Sequence, residues 1–375
     1  MISPQDRTTI KTHLVQLMCT VPPIIQAQCS ESISLIAKLD FPDNWQNLLP
    51  ELVQKFNSPD PAVTNGVLLT ANSIFKRFRY VQRSDELYRE IIYSLKHVQE
   101  PILTLFKSTS QAVVAFEKDA AQLVPRFETL RLIVRIFFSL NYQDLPEYFE
   151  DHMGEWMEGF STFLQYKNVL LTDDSEETEP SPLDRLQAGI VENLKLYAGK
   201  DEEPFLPFLP KFTQLVWNLL LHVTAHPKHD ILATSCIRFL GSLVKKLMHK
   251  DLFKEDATLR QIIGNIVVPN LMIREVRTLL GMTVLDEFLL ILVVFQVDEI
   301  RFDEDPDEFI ATDIEGSETE SRRRCSQDLL RDMCRQFEAE ATAICSEHVG
   351  TMLSEFAANP SSKWQAKDVA VSLVT

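Results

Sequence analysis

Glycine is scarce in this sequence, with 10 residues in a chain of 375. All-β folds and doubly wound α/β folds need many tight turns, which glycine most often supplies. The composition therefore argues against both classes and favours a helical fold. Strand-like alternation is not convincing anywhere along the chain, whereas apolar residues recur at helical spacing in most segments. A hydrophobic content of 45% is ample for a continuous core.

The 6 cysteines contain no C-x-x-C pair, which excludes the zinc and redox motifs built on that spacing. We expect reduced thiols in an intracellular protein, most of them acting as small core residues. They are Cys19, Cys29, Cys236, Cys325, Cys334 and Cys345.

The common catalytic motifs are also missing: there is no P-loop, no G-x-S-x-G and no H-E-x-x-H. His222, His226 and His229 come closest to a metal cluster. Because no cysteine or acidic ligand stands at a fixed spacing among them, a solvated helix end is favoured over a zinc site. We expect no enzyme activity, no cofactor and no bound metal.

Acidic residues outnumber basic ones, 54 to 37, and the formal charge is −17. Such a chain should repel the phosphates of nucleic acids and favour basic protein surfaces. A charge that only maintains solubility explains the number equally well. The basic turn Lys76–Arg79 is a weak indication of RNA binding on so acidic a chain. We therefore expect protein partners and no nucleic acid.

The sequence Asp40–Leu52 predicts a sharp corner followed by an amphipathic helix. Proline at position 42 cannot continue the preceding helix, and Asp43 or Asn44 is expected to cap the next one. Apolar side chains then recur at helical spacing and form one buried stripe. The residues of this corner motif are Phe41, Pro42, Trp45, Leu48, Leu49, Pro50 and Leu52.

Similar corners return along the chain. Leu145-Pro146 opens one that leads to Trp156, and the segment before Trp364 opens another. Helix-corner-helix units that recur every several tens of residues without strict identity are typical of HEAT repeats. The predicted fold is all-α: a HEAT-repeat, right-handed α-solenoid, a superhelix of antiparallel helix pairs.

Four blocks of sequence resemble the exportin-2 family, the CAS branch of the importin-β superfamily of transport receptors. The first is the corner motif, which has the form FPxxWxxLLPxL. The others are Pro61–Tyr80, Phe138–Trp156 and Ile314–Arg324. They stand in the family's order, and the resemblance covers nearly the whole chain, as a central fragment of a receptor.

The resemblance implies a nuclear export receptor that binds importin-α cooperatively with Ran-GTP and returns it from the nucleus to the cytoplasm. It also implies contacts with nucleoporins and shuttling through the nuclear pore, with no membrane insertion. The family's main Ran-binding repeats would precede this sequence. The apolar end at Val371 and Leu373 has no polar cap, which also predicts part of a longer receptor.

The segment Val276–Gln296 interrupts the resemblance. It contains the apolar run Phe288–Phe295, but the carboxylates of Asp286 and Glu287 make a transmembrane helix improbable and leave a buried helix as the alternative. The family pattern runs from Glu275 directly into a sequence like Val297. We hypothesise that the segment is a translated intron or a gene-model error. The predicted divisions are a solenoid at 1–275, this insertion at 276–296, a charged loop at 297–324 and a truncated solenoid at 325–375.

The loop at 297–324 is acidic and closes on a run of arginines. A charge run is commonly a solvated loop, but the resemblance implies that this loop contacts Ran-GTP and bears on importin-α binding. Its carboxylates would face a basic partner and its arginines an acidic one. The implied contact residues are Asp313, Glu315, Gly316, Glu318, Arg322, Arg323 and Arg324, with Glu318 standing where an aspartate is usual.

A second functional class stays open. A HEAT-repeat scaffold could hold a protein complex together without any nucleotide-dependent partner. The charged loop distinguishes the two classes, because a passive scaffold does not need it.

Overall fold

The computed structural model describes residues 3–171, 179–200, 203–273, 321–360 and 363–374. The chain divides into two compact units: Met1–Leu219 with Pro227–Leu232, and Leu220–His226 with Ala233–Thr375. Within the described ranges both units are helical and no strand occurs. The predicted insertion Val276–Gln296 and most of the predicted loop lie outside these ranges.

The first unit contains nine α-helices within its described residues. These are α1 (Pro4–Met18), α2 (Pro23–Asp40), α3 (Leu48–Val53), α4 (Pro61–Phe75), α5 (Asp85–Ala115), α6 (Ala120–Asn141), α7 (Glu147–Asp151), α8 (Met153–Gln165) and α9 (Pro182–Lys200). A short 3₁₀ turn at Lys76–Arg79 follows α4, and two more, at Glu203–Phe208 and Pro227–His229, come after α9. The boundary between the units falls within α10 (Leu209–His222) and α11 (Asp230–Val244).

The described part of the second unit continues with a 3₁₀ turn at Leu247–Leu252. Its further helices are α12 (Asp256–Ile262), α13 (Val268–Met272), α14 (Arg322–Gln336), α15 (Glu338–Ala358) and α16 (Trp364–Ser372). A π-helical turn at Ile263–Val267 joins α12 to α13. Helix α14 packs against α13 and α15, and α16 packs against α13 and α15.

Helix contacts in the first unit define two layers. The first layer contains α1, α3, α5 and α8, and the second contains α2, α4, α6 and α9. Within the second layer each helix packs against the next. Between the layers, α1 packs against α2, α3 against α4, α5 against α6 and α8 against α9. Repeating helix pairs in two layers are the arrangement of a HEAT solenoid, so the helical fold class predicted from the sequence is found in this unit.

Side-chain hydrogen bonds connect neighbouring helices of the second layer. The hydroxyls of Ser30 on α2 and Thr70 on α4 are 2.8 Å apart. The Thr129 hydroxyl on α6 donates to the side-chain amide oxygen of Asn65 on α4 at 2.6 Å. The Asn193 amide on α9 donates to the Val134 carbonyl on α6 at 3.3 Å. Because hydrogen bonds are directional, each contact fixes the register of two adjacent helices.

An aromatic cluster fills the space between the layers around Trp156, as its predicted packing role requires. The indole of Trp156 on α8 stacks on Phe106 with ring centroids 4.7 Å apart. It also contacts Phe137 on α6 at 4.2 Å. All three side chains are buried. Aromatic rings contribute large apolar areas to a core, so this cluster is a principal packing centre of the first unit.

Gly159 permits the close approach of α8 to α5. A Cβ added at this glycine would overlap the ring of Phe106. We expect Gly159→Ala to lower the free energy of unfolding by about 1–2 kcal/mol, because an overpacked core must shift its side chains or backbone. Chemical denaturation followed by circular dichroism measures this change.

The matched control for that variant lies on the same helix. A Cβ at Gly154 meets nothing within 4 Å, so Gly154→Ala should leave stability unchanged or raise it by a few tenths of a kcal/mol. Equal losses of unfolding free energy in the two variants would show that the overlap with Phe106 is not the cause.

The corner motif is buried as predicted, but its helix is shorter. Leu48, Leu49 and Leu52 are buried on α3, and Phe41 and Trp45 are buried before that helix begins. Helix α3 starts at Leu48, with Asn47 as its N-cap and no capping bond from its side chain. The prediction that Asp43 or Asn44 caps the helix is therefore wrong.

Pro50, which is tolerated only in the first turn of a helix, and side chains distant in sequence together explain the late start of α3. The Lys11 ammonium binds the Asn44 carbonyl at 2.9 Å and the Asp40 carboxylate at 2.7 Å. The Tyr93 hydroxyl donates to the Gln46 carbonyl at 2.6 Å. In a longer helix the Asn44 carbonyl would accept the Leu48 amide, whereas Pro50, which has no amide hydrogen, could not donate to the Gln46 carbonyl. Residues of α1 and α5 thus hold the backbone before Leu48 in a series of turns.

The other members of the motif have packing positions. Pro42 follows Phe41 through a cis peptide bond, and Pro42 and Pro50 are half-buried. Pro50 stands within the first turn of α3, where its missing amide costs no hydrogen bond. Trp364 opens α16, as expected for a corner.

The hypothesis about Val276–Gln296 concerns residues beyond the described ranges and stays a prediction. We expect transcript sequences to join the codon of Glu275 directly to that of Val297. Transcripts that carry the segment without any such junction would contradict the hypothesis and make it a genuine part of the protein.

Candidate functional site

The described part of the predicted loop is the start of α14. Ser321 precedes the helix with extended backbone, and its hydroxyl accepts the Arg324 amide at 3.1 Å. A serine N-cap of this kind stabilises a helix start. Arg322, Arg323 and Arg324 therefore form a first helical turn, and the prediction that they belong to a loop is wrong. Asp313, Glu315, Gly316 and Glu318 lie outside the described residues.

Arg322 is directed into the second unit. Its side chain is buried, with 5% of the residue exposed. The guanidinium donates to the Thr224 carbonyl at 2.7 Å and to the His226 carbonyl at 3.3 Å. These carbonyls belong to the segment that connects α10 to α11. The planar fork of arginine suits two acceptors on one backbone segment, so Arg322 holds that segment against the start of α14.

Arg323 joins α14 to two other helices. Its guanidinium donates to the Leu271 carbonyl near the end of α13 at 2.8 Å. It also donates to the Ser372 hydroxyl at 2.8 Å and pairs with Asp368 at 2.9 Å, both on α16. The side chain is only 20% exposed. A cation near the last carbonyls of a helix also interacts favourably with the helix dipole.

Arg324 is the outward member of the arginine turn. Its side chain is 47% exposed, and its Nε lies 3.6 Å from Asp328. Arg331 is equally exposed and is paired with the same carboxylate at 2.6 Å. Exposed ion pairs of this kind contribute little to stability. Of the arginines that the resemblance assigned to a partner, two are committed to contacts within the chain and Arg324 is accessible.

Helix α14 also carries a buried carboxylate, Asp332, that the sequence pattern did not lead us to expect. Asp332 is buried, lies 3.3 Å from the Lys245 ammonium and pairs with Arg335 at 3.5 Å. Burial raises the pKa of the Asp332 carboxyl, against the opposing effect of Lys245. Its helical spacing from Cys325 and Leu329, both buried, places it on the inner face of α14. That spacing was the signal available in the sequence.

One of the histidines considered as metal ligands lies beside a carboxylate. His229 pairs with Asp184 at 3.1 Å, and within the described ranges no group of three or more potential ligands could hold a metal ion.

The basic turn at Lys76–Arg79 makes contacts within the first unit. Lys76 is buried, Arg77 pairs with Glu90, and Arg79 donates to the Ser139 hydroxyl at 2.9 Å. No helix within the described ranges combines the length and the hydropathy of a transmembrane span.

Comparison with known proteins places this arrangement in a family. The family model described as Cse1 matches residues 74–281 and 282–375. Exportin-2 of Oreochromis niloticus is 41% identical over 374 residues, which is 100% of this chain and 36% of that protein. Exportin-2 of Homo sapiens is 41% identical over 370 residues, which is 99% of this chain and 36% of that protein.

A solved structure shows the same fold. It is described as "The exportin Cse1 in its cargo-free, cytoplasmic state" and superimposes with a TM-score of 0.85 at 32% identity. The similarity covers 100% of this chain and 38% of that one. This chain therefore spans a little over a third of the length of the proteins it matches. The resemblance found in the sequence is confirmed, and so is the helical HEAT-repeat fold: the chain belongs to the Cse1 family of exportins, which includes the Exportin-2 proteins.

Proposed function

We propose that this chain is a segment of a nuclear export receptor that binds importin-α cooperatively with Ran-GTP and returns it from the nucleus to the cytoplasm. The observation that carries the proposal is its similarity, along its whole length, to Exportin-2 proteins. Because the chain spans 36% of those proteins, it would supply one part of the binding surface. Shuttling through the pore and contacts with nucleoporins belong to the same proposal.

The binding of the two partners would be reciprocal. If Ran-GTP raises the affinity for importin-α, importin-α must raise the affinity for Ran-GTP by the same factor. The chain's formal charge of −17 favours a partner with a basic surface. A solenoid of packed helix pairs adapts to such a surface by small changes at each repeat.

Of the arginines that the resemblance assigned to a partner, Arg324 is the one accessible for a charge-assisted contact with an acidic surface. Its side chain is 47% exposed, at the point where the predicted charged loop meets α14. An exposed arginine can form paired hydrogen bonds with a carboxylate. Asp313, Glu315, Gly316 and Glu318 remain proposed contacts on the strength of the resemblance.

Capture of importin-α by the immobilised chain, with and without Ran locked in its GTP state, tests the proposal. We expect Ran-GTP to raise capture. Arg324→Ala should reduce the affinity of the Ran-dependent complex about tenfold, equivalent to ~1.4 kcal/mol, through the loss of one charged hydrogen-bonding group.

Arg331→Ala is the matched control, since Arg331 has the same exposure and the same carboxylate partner as Arg324. It should leave capture unchanged. Absence of importin-α capture both with and without Ran-GTP would contradict the export function for this chain. Capture that is the same with and without Ran-GTP would favour a scaffold. An equal loss in the two variants would show that Arg324 has no specific role.

A further inference from the structure

Helices α6 and α9 of the second layer carry an excess of positive charge that their first-layer partners do not share. Together α6 and α9 contain six basic and three acidic residues. Their partners α5 and α8 contain the reverse, three basic and six acidic residues. Because the whole chain has a formal charge of −17, this positive charge is a local exception. The potential around α6 and α9 therefore favours negatively charged ligands.

The solvent-facing side of α6 lies at the centre of this charge. Between Phe127 and Leu140 every residue of α6 is buried except four, which recur at helical spacing. These four are Glu128, Arg131, Arg135 and Phe138. Two arginines, one glutamate and one aromatic ring thus form the side that this stretch of α6 presents to solvent.

Arg79 extends this side of α6 from the 3₁₀ turn after α4. Its guanidinium donates to the Ser139 hydroxyl at 2.9 Å and to the Arg135 carbonyl at 3.4 Å. The same group lies 5.0 Å from the centroid of the Phe138 ring, within the range of a cation–π contact. These contacts hold Arg79 beside α6, so its positive charge adds to that of the two arginines there.

Helix α9 supplies further cations on the other side of α6. Arg185 and Lys195 are half-buried on α9, which packs against α6. Burial raises the pKa of the Glu128 carboxyl, but a hydrogen bond from Arg131 lowers it. The charges of Arg131, Arg135 and Arg185 also lower this pKa, and the balance is a pKa below the ordinary value. Arg185 on α9 therefore acts on the same carboxylate as the arginines of α6.

Two carboxylates of the chain bind to these arginines. Arg131 donates to both oxygens of Glu128, at 2.7 and 2.8 Å. Arg185 donates to the Glu179 carboxylate at 3.0 Å. Guanidinium groups recognise carboxylates through charge-assisted hydrogen bonds, most specifically in the paired form that Arg131 makes. The contacts show the chemical group that this surface accepts.

We propose that an acidic segment of a partner protein binds to this surface, which we call the basic face. Its residues are Arg79, Arg131, Arg135, Phe138, Arg185 and Lys195. Carboxylates of the partner would pair with the cations, and an apolar side chain would contact the Phe138 ring. The basic face is separate from the contact proposed for Arg324, and its binding needs neither Ran-GTP nor importin-α.

A protein segment suits the basic face better than a nucleic acid does. Glu128 stands beside its arginines, and Glu192 pairs with Lys195 at 2.6 Å. These carboxylates would repel a continuous phosphate backbone, as would the negative charge of the chain as a whole. A protein can space its charges unevenly and so place apolar or polar groups opposite the two glutamates.

Fluorescence anisotropy with two labelled synthetic peptides tests the basic face. The glutamate peptide alternates pairs of glutamates with phenylalanine, and the glutamine peptide has glutamine in place of every glutamate. We expect the full chain to bind the glutamate peptide with an affinity that falls as salt is added, and to leave the glutamine peptide unbound. Equal binding of the two peptides would overturn the proposal, because charge would then have no part in recognition.

Arg135→Gln should lower the affinity for the glutamate peptide about tenfold, because it removes one charged hydrogen-bonding group. Arg126→Gln is the matched control. Arg126 lies on the opposite side of the same helix, where its guanidinium is 4.1 Å from the centroid of the Phe116 ring, and its loss should leave the affinity unchanged. Circular dichroism checks that both variants are folded. Equal losses of affinity in the two variants would contradict a site on the basic face.

Glu128→Gln distinguishes recognition from folding, because damaged packing does not improve binding. Removal of this carboxylate takes a competing ligand away from Arg131. The affinity for the glutamate peptide should therefore rise, by about threefold for a partly exposed ion pair. An unchanged or lower affinity in Glu128→Gln would overturn the assignment of Arg131 to the binding surface.

Two other occupants are distinguished by further arms of the same experiment. A labelled oligothymidylate that binds as tightly as the glutamate peptide would replace the protein partner with a nucleic acid. The chain's own acidic residues are tested by a variant with amides at Asp173, Asp174, Glu176 and Glu177. If only that variant bound the glutamate peptide, the chain's own segment would be the occupant, and the proposal of a separate partner would be wrong.

Discussion

Trp156→Ala should lower the free energy of unfolding by about 3–5 kcal/mol, the range found when a buried aromatic side chain is truncated in a core. The indole is fully buried and contacts the rings of Phe106 and Phe137 at centroid distances of 4.7 and 4.2 Å. The surrounding rings belong to α5, α6, α7 and α8, so they cannot close the resulting cavity without moving several helices. Denaturant unfolding followed by far-UV circular dichroism measures the loss without relying on tryptophan fluorescence.

A surface position on the same helix gives the comparison. Glu158 is exposed on α8, and Glu158→Ala should change the free energy of unfolding by no more than about 0.5 kcal/mol. A loss below about 1 kcal/mol in Trp156→Ala would contradict the assignment of Trp156 to the packing centre between the layers.

Arg322→Ala should destabilise the second unit by about 2–3 kcal/mol, while Arg324→Ala costs less than about 0.5 kcal/mol. Arg322 is 5% exposed and donates to the carbonyls of Thr224 and His226. Its truncation removes hydrogen bonds from a charged donor and the packing of a long aliphatic stem. Arg324, with its side chain 47% exposed, loses only an exposed ion pair.

Thermal or denaturant unfolding of the two variants side by side measures the difference. Arg322→Lys adds a third point: it keeps the charge but loses the planar fork, so its stability should fall between those of the wild type and Arg322→Ala. Equal stability of Arg322→Ala and Arg324→Ala would refute the distinct positions assigned to the two arginines.

Because Arg322 is buried and Arg324 is exposed, the two arginines must be replaced separately in binding experiments. A variant in which Arg322, Arg323 and Arg324 are all replaced would lose two internal anchors together with one exposed side chain. Reduced capture of importin-α by that variant would then report a loosened unit as readily as a lost contact. Only the single variant Arg324→Ala separates recognition from folding.

The sequence pattern was sufficient for the core of the corner motif but not for its helix boundary. Leu48, Leu49 and Leu52 are buried where their helical spacing placed them. The boundary depends in part on Pro50, a local signal, because a longer helix would place this proline in its interior. It also depends on Lys11 and Tyr93, which bind backbone carbonyls of the corner from α1 and α5. Such contacts are formed by tertiary packing, so local preferences for capping residues do not contain them.

The arginine turn shows a similar limit. A run of charges at the end of an acidic segment is typical of a solvated loop, and the family resemblance pointed to a partner. Neither observation indicates that the Thr224 and Leu271 carbonyls accept hydrogen bonds from Arg322 and Arg323.

The hydrogen bonds of the second layer make its helix contacts stiffer than the contact between α5 and α8. Contacts such as that between Ser30 and Thr70 resist both sliding and separation of neighbouring helices. Helices α5 and α8 meet instead through stacked rings and the solvent-exposed pair of Lys107 and Glu155. Because ring contacts are less directional than hydrogen bonds, we expect small rotations between α5 and α8 rather than between α2 and α4.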